Sequence, residues 1–242
     1  GGVYTRAPHM MGMGMGVGFG GSPPPWTPAA LGADLWGYGL PSSIVDTGGK
    51  ASQWTDLHTT AHHLVQADAA KRLAYVAAGN PQGGPCVRGD GATNLWLACA
   101  DTALAQPTWV LLAVKWTVQG TLSRLFDGAV LNTGCLYNTG GSTRGILTAG
   151  GSVEREATVD GAWHVLEVVI SGAASWIAHD GGTKTIGNAG AANMVGFTLG
   201  IGGHFFNPAL FDCSGWMIAK RTPSDADRAA AYDWMLKAAG LI

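Results

Sequence analysis

Along most of this chain, apolar residues occur in short runs, each closed by a residue pair that accepts positive φ. This pattern predicts strands joined by tight turns. The clearest stretch is Val153 to Gly182, VEREATVDGAWHVLEVVISGAASWIAHDGG. It predicts an antiparallel meander: a first strand, an Asp160-Gly161 turn, a strand from Trp163 to Ile170, a Ser171-Gly172 turn, a strand from Ser175 to His179 and an Asp180-Gly181 turn. In the middle strand Leu166, Val168 and Ile170 share one face, and Trp163, Val165, Glu167 and Val169 share the other. A strand apolar on both faces belongs inside a sandwich of two sheets, not at an edge.

Trp109 to Val118, WVLLAVKWTV, is apolar on both faces and predicts a second central strand. From Leu35 to Ala98, short apolar pieces alternate with turns, Asp90-Gly91 among them, and a weak helical pattern runs from about Asp68 to Ala78. Leu122 to Phe126, Phe197 to Ile201 and Cys213 to Ala219 add further strands. Near the end the period changes. Ser224 is an N-cap with acids in the turn after it, and Ala230, Trp234 and Ala238 form a stripe that predicts a helix packed on the sandwich through Trp234, with Gly240 closing it.

Residues 1–28 form a Gly/Met/Pro-rich arm, and 29–242 the main domain. If the arm is extended, Met11, Met13, Met15, Val17 and Phe19 line one side. Composition alone favours a disordered tail. The alternative is an assembly element lying in a groove of a neighbouring subunit, with SPPPWTP (Ser22 to Pro28) as a stiff spacer.

At 242 residues and 47% hydrophobic, the chain can bury a substantial core as one main domain. With 12% charged residues, a formal net charge of -2 and no basic run, it carries no electrostatic footprint for nucleic acid or an anionic membrane. No segment has the roughly 20 apolar residues that span a bilayer, and the first residues lack the apolar core of a secretory signal. Cys86, Cys99, Cys135 and Cys213 have no zinc-site spacing; two disulfides could form, but isolated buried thiols suit a core of this size better.

The ordered series QWTDLHTTAHHLVQ (Gln53 to Gln66), VRGDGATNLWLA (Val87 to Ala98), DGAWHVLEVVISGAASWIAHDGG, TLGIGG (Thr198 to Gly203) and FDCSGWMIAKRTPSDADRAAAYDWMLKAAGLI resembles the concanavalin A-like (laminin-G-like) jelly rolls. The resemblance covers about Leu31 to Ile242. It implies an all-β fold: a two-sheet antiparallel jelly-roll sandwich with an extended N-terminal arm and one C-terminal helix. Similar proteins occur as modules of secreted carbohydrate-active proteins and as bacteriophage structural proteins, so the fold leaves several functions open.

Glu154 and Glu156, two apart on a strand, are placed as a glycosidase acid and nucleophile would be. The Glu-x-Asp-x-Glu pattern of the hydrolase branch is not complete here, and a solvated polar face accounts for both residues. His58, His62 and His63 include an i, i+4 spacing without the glutamate of a zinc helix, which favours ordinary packing over a metal. Trp36, Trp54, Trp96 and Trp176 are candidates to face a glycan. Among relatives that use calcium the ligands lie on rim loops; Asp90, Asp101, Asp180 and Asp212 are the acids available, with no dense ligand run, so no cofactor is expected, with calcium as the alternative.

The expectation is a non-enzymatic subunit of a larger assembly, virion or extracellular in location, such as a bacteriophage capsid decoration, head fibre or tail protein. It would contact other copies or other virion subunits through the arm, and host glycans through an exposed face. The alternatives are a secreted carbohydrate-binding module and a glycoside hydrolase.

Overall fold

The structure is a computed structural model that describes residues 25–242 apart from 60, 120, 121, 129, 131, 132, 157 and 201–206. The arm residues Met11, Met13, Met15, Val17 and Phe19 lie outside the described residues.

In chain order the strands are β1 (Leu35–Gly39), β2 (Ile44–Asp46), β3 (Ala51–Trp54), β4 (Leu64–Val65), β5 (Ala74–Val76), β6 (Cys86–Asp90), β7 (Leu97–Leu104), β8 (Thr108–Thr117), β9 (Ser123–Asp127), β10 (Cys135–Asn138), β11 (Gly145–Thr148), β12 (Val153–Arg155), β13 (Trp163–Ile170), β14 (Ser175–His179), β15 (Thr185–Gly187), β16 (Met194–Leu199), β17 (Asn207–Pro208) and β18 (Leu210–Ala219), before the helix α1 (Asp225–Ala238). They form two sheets. One runs β15-β14-β13-β8-β18-β6-β5, with β1 also on β18; the other runs β12-β11-β10-β9-β16-β7-β4-β3-β2, with β17 on β9. Apart from the parallel β17–β9 pair, every ladder is antiparallel. The chain is thus an all-β two-sheet sandwich with one C-terminal helix.

The two strands that read as apolar on both faces lie side by side, with β8 between β13 and β18. Leu166, Val168, Ile170, Val110, Leu112 and Val114 point into the core between the sheets. Val165, Val169, Trp109, Leu111 and Ala113 point the other way, into a second core under α1. The second face is therefore covered by a helix and not by a third sheet. In β18 the register shifts between Cys213 and Gly215, so Phe211 and Cys213 share the inner face with Trp216 and Ile218 despite their odd spacing.

Three sequence expectations change. The stretch from Val153 is not one meander: β12 pairs with β11 in the opposite sheet, and the Asp160-Gly161 turn belongs to a crossover ahead of β13. The weak helical pattern near Asp68 gives only a single 3₁₀ turn, Ala69–Lys71, before β5. The helix forms as expected, with a Ser224–Asp227 capping box, but it is rotated by one residue. Its buried positions are Ala231, Met235 and Ala239, whereas Ala230, Trp234 and Ala238 are half-buried.

Two contacts set that rotation. A Cβ on Gly215 would lie 2.8 Å from the Met235 sulfur and 3.0 Å from the Ala239 Cβ, so the helix seats in the gap this glycine leaves. On the same stripe Arg228 meets Glu167, with Nη2–Oε2 at 3.0 Å and side-chain exposures of 12% and 5%. Trp109 Nε1 donates to the same carboxylate at 2.9 Å. Burial pushes the Glu167 carboxyl above its ordinary value, and Arg228 and Trp109 pull it back. Single removal of either member of a buried pair leaves an uncompensated charge, so this contact fixes which face of α1 turns inward.

Candidate functional site

Rotating α1 by one residue leaves Trp234 at the margin of the second core, where it lines a cleft of about 520 Å³. Pro25, Trp26, Ala230 and Ala238 line it with Trp234, and the exposed Asp233 and Lys237 stand at its rim. A cleft of this size suits a small-molecule or sugar-sized ligand. The Trp26 and Trp234 rings meet edge to face, with centroids 6.0 Å apart and planes at 66°. Tyr38 of β1 meets Trp234 on another edge at 5.8 Å and 78°.

Local structure fixes each wall. Trp26 precedes a 3₁₀ segment, Pro28–Asp34, that starts on a proline suited to the first helical position. Tyr38 is held through its backbone, whose N–H donates to Asp56 Oδ1 at 3.0 Å, and burial followed by the Asp56 charge raises its phenol above the ordinary value. Asp233 and Lys237 stand one turn apart on α1, and among the described residues neither is in an ion pair. The cleft therefore offers apolar ring faces beside one acceptor and one donor that are free to bond elsewhere.

Two other depressions have different chemistry. One of about 590 Å³ on the outer face of β4 and β7 is lined by Ala61, His63, Val65, Ala98, Cys99 and Ala100, with no aromatic platform other than an imidazole. The other, about 220 Å³, holds Lys115 and Thr117 beside the Arg88–Asp212 pair.

Of the tryptophans singled out in the sequence, Trp36, Trp54 and Trp176 are 2%, 0% and 3% exposed and present no face to a glycan. Large aromatics bury the most apolar area, and this sandwich uses these three in its cores. Trp36 stacks on His62 at 4.2 Å. Trp54 Nε1 donates to the Leu40 carbonyl at 2.9 Å. Trp176 lies under Arg228 and Lys184, at 4.8 and 5.2 Å from its ring. Trp96 is half-buried, with Lys71 Nζ 5.4 Å above it, and is not among the residues of the cleft.

Glu154 and Glu156 sit on and just past edge strand β12, with side chains 45% and 64% exposed, and one guanidinium binds both. Arg144 Nη1 is 2.7 Å from Glu154 Oε2 and its Nη2 is 2.7 Å from Glu156 Oε1, which raises Arg144 above its ordinary value. That is a surface ion-pair cluster, with both carboxylates spent on the same cation.

Among the histidines, His62 Nδ1 bonds the Trp36 carbonyl at 2.7 Å and His63 Nδ1 accepts from the Asp56 N–H at 3.1 Å, so both rings serve the packing of the 55–63 loop. The acids considered for calcium go to separate partners: Asp90 caps its own turn through the N–H groups of Ala92 and Thr93, Asp212 binds Arg88, and Asp180 binds His164. The backbone of Asp101 runs in β7. All four cysteines are buried free thiols.

Trp26, Asp233 and Lys237 were not singled out as site residues from the sequence. The signal available was Trp26 inside SPPPWTP, where a proline-stiffened segment carries one large aromatic onto the domain.

No family model matches the chain, and no curated protein does. Its structural neighbours include the Trypanosoma rangeli sialidase in complex with sialic acid (11% identity, TM-score 0.57, 84% of this chain and 33% of that one). They also include the binding domain of Paraclostridial Mosquitocidal Protein 1 (9%, 0.59, 84% and 52%) and the binding domain of botulinum neurotoxin serotype D (9%, 0.58, 84% and 52%). These are matches of fold. The chain spans about a third of the length of the sialidase and about half that of the toxin binding domains.

Proposed function

We propose that this chain is a non-enzymatic binding module that takes a glycan in the cleft lined by Trp26 and Trp234. One observation carries the reading: two half-buried tryptophan rings face an open cleft whose rim supplies a carboxylate and an ammonium that are unpaired among the described residues. A sugar ring has an apolar face that packs on indole and hydroxyls that both donate and accept. Each aromatic contact contributes on the order of 0.5–1.5 kcal/mol, and Asp233 and Lys237 fix orientation. The likeness in fold to two toxin binding domains and to a sialidase in complex with sialic acid supports the same reading. The pairing of Glu154 and Glu156 with Arg144 on an exposed edge argues against a hydrolase.

The assembly reading, in which the arm joins copies of the chain or other virion subunits, keeps one observation of its own. The cleft lies at Pro25 and Trp26, where residues 1–24 join the sandwich, so a methionine-rich arm from another copy is the competing occupant. Met side chains fill irregular apolar gaps beside aromatic rings.

A glycan array probed with the full chain and with Trp234→Ala separates the two. Glycan binding that Trp234→Ala abolishes supports the module. No binding on the array, together with a full chain that oligomerises and a version lacking 1–24 that is monomeric by light scattering, contradicts the module and supports assembly.

A further inference from the structure

We propose that His164, His179 and Asp180 bind a zinc ion at the rim of the sandwich, with Asp160 orienting His164 from behind. One nitrogen from each imidazole and one Asp180 oxygen lie within 4.8 Å of one another. The two rings have centroids 5.1 Å apart and planes at 57°, so their lone pairs can converge on one point. His164 is the second residue of β13 and His179 closes β14, both in the parity of the inward-facing Leu166 and Ile177, and their side chains are 14% and 19% exposed. An ion can reach them from solvent.

Asp180 is built to present one oxygen. It is one of the non-glycine residues with positive φ, at 53°, followed by Gly181 at 66°. Its Oδ1 accepts from the Val165 N–H at 3.0 Å, which leaves Oδ2 between the imidazoles, 2.5 Å from His164 Nδ1 and 3.4 Å from His179 Nδ1. Two ligands on a tetrahedral zinc with bonds of about 2.0–2.1 Å are about 3.4 Å apart. The His179–Asp180 edge already has that length, and the His164–Asp180 edge reaches it by opening less than about 1 Å. The ion takes the place of the proton shared there, and water fills the fourth position.

Behind the ligands, His164 Nε2 meets Asp160 Oδ1 at 3.0 Å, and the Ala162 N–H holds that same oxygen at 2.8 Å. A carboxylate on the far nitrogen of a ligating histidine fixes its tautomer and orientation. Two imidazoles with one carboxylate favour zinc over calcium, which takes six or more oxygens. The ion would tie β13, β14 and the crossover loop from β12 together at one end of the sandwich.

The test uses the full chain without an affinity tag, stripped with chelator, and titrates zinc chloride by calorimetry with thermal melting alongside. One zinc per chain with a raised melting midpoint is expected, and calcium should produce neither. His179→Ala should weaken zinc binding at least tenfold, and Asp160→Asn, which removes no ligand, by about 10–100-fold. If His179→Ala does not fold by circular dichroism, Asp160→Asn carries the test. Cobalt in place of zinc should give the strong visible bands of a tetrahedral site. Zinc affinity no tighter than millimolar overturns the proposal, and so does wild-type affinity in a folded His179→Ala or Asp160→Asn variant.

Discussion

On its inner face the β13-β8-β18 sheet meets a second sheet, and Val110, Leu112, Leu166, Val168 and Ile218 interlock with Phe126, Leu136 and Phe197 in a core of alternating apolar residues. On its outer face the same three strands meet a single helix. There the apolar contacts of Met217, Val169 and Met235 surround a buried ion pair, and Trp26, Tyr38 and Trp234 remain half-covered at the margin. A sheet covers a sheet completely, whereas one helix covers only a stripe, and the cleft lies along the uncovered edge. The inner face holds the fold, and the outer face has surface left over for a ligand.

The largest expected effect is on the inner face. Phe197→Ala should cost about 3–5 kcal/mol and lower the denaturation midpoint of the whole domain, read by tryptophan fluorescence and circular dichroism together. On the outer face Arg228→Ala should cost about 3 kcal/mol by leaving Glu167 charged and buried, while Glu167→Leu with Arg228→Leu should recover most of that loss. A double variant as unstable as the single would show that the pair does more than set the helix phase. Gly215→Val should cost about 1–3 kcal/mol by pushing Met235 and Ala239 off the sheet, seen as helix loss with strand signal retained. At the small end, the four thiols should not react with a thiol reagent at pH 8 until the chain is unfolded; Cys86, pushed up to about 12 by burial, is the most telling.

Much of this was legible in the sequence where one rule decided the outcome. The two-faced strands at Trp109 and Trp163 predicted the central strands, and Ser224 with its following acids predicted the helix start. The phase of the helix was not legible, because an apolar count favours Trp234 over Arg228. Only the structure shows that Arg228 meets a buried Glu167 across 61 residues of chain and that Gly215 opens the gap for Met235.

Burial of single aromatics was not legible either. Trp36, Trp54 and Trp176 look like Trp26 and Trp234 in sequence, and only burial separates them. Likewise β12 reads as a hairpin partner of β13 because a turn follows it, yet its ladder goes to β11. The His164–His179–Asp180 cluster left a fainter trace, a histidine at the open end of each of two neighbouring strands and an Asp-Gly turn beside one.

The most direct measurement is calorimetric titration of the best array glycan into the full chain, Trp26→Ala and Trp234→Ala, each shown to be folded. Trp234→Ala should cost about 1 kcal/mol of stability through its edge contacts with Trp26 and Tyr38, which leaves the chain folded for the titration. A fall in affinity of about tenfold or more in both variants is the expected result, equivalent to about 1.4 kcal/mol. Affinity unchanged in both would place the glycan elsewhere and contradict the cleft as the binding site.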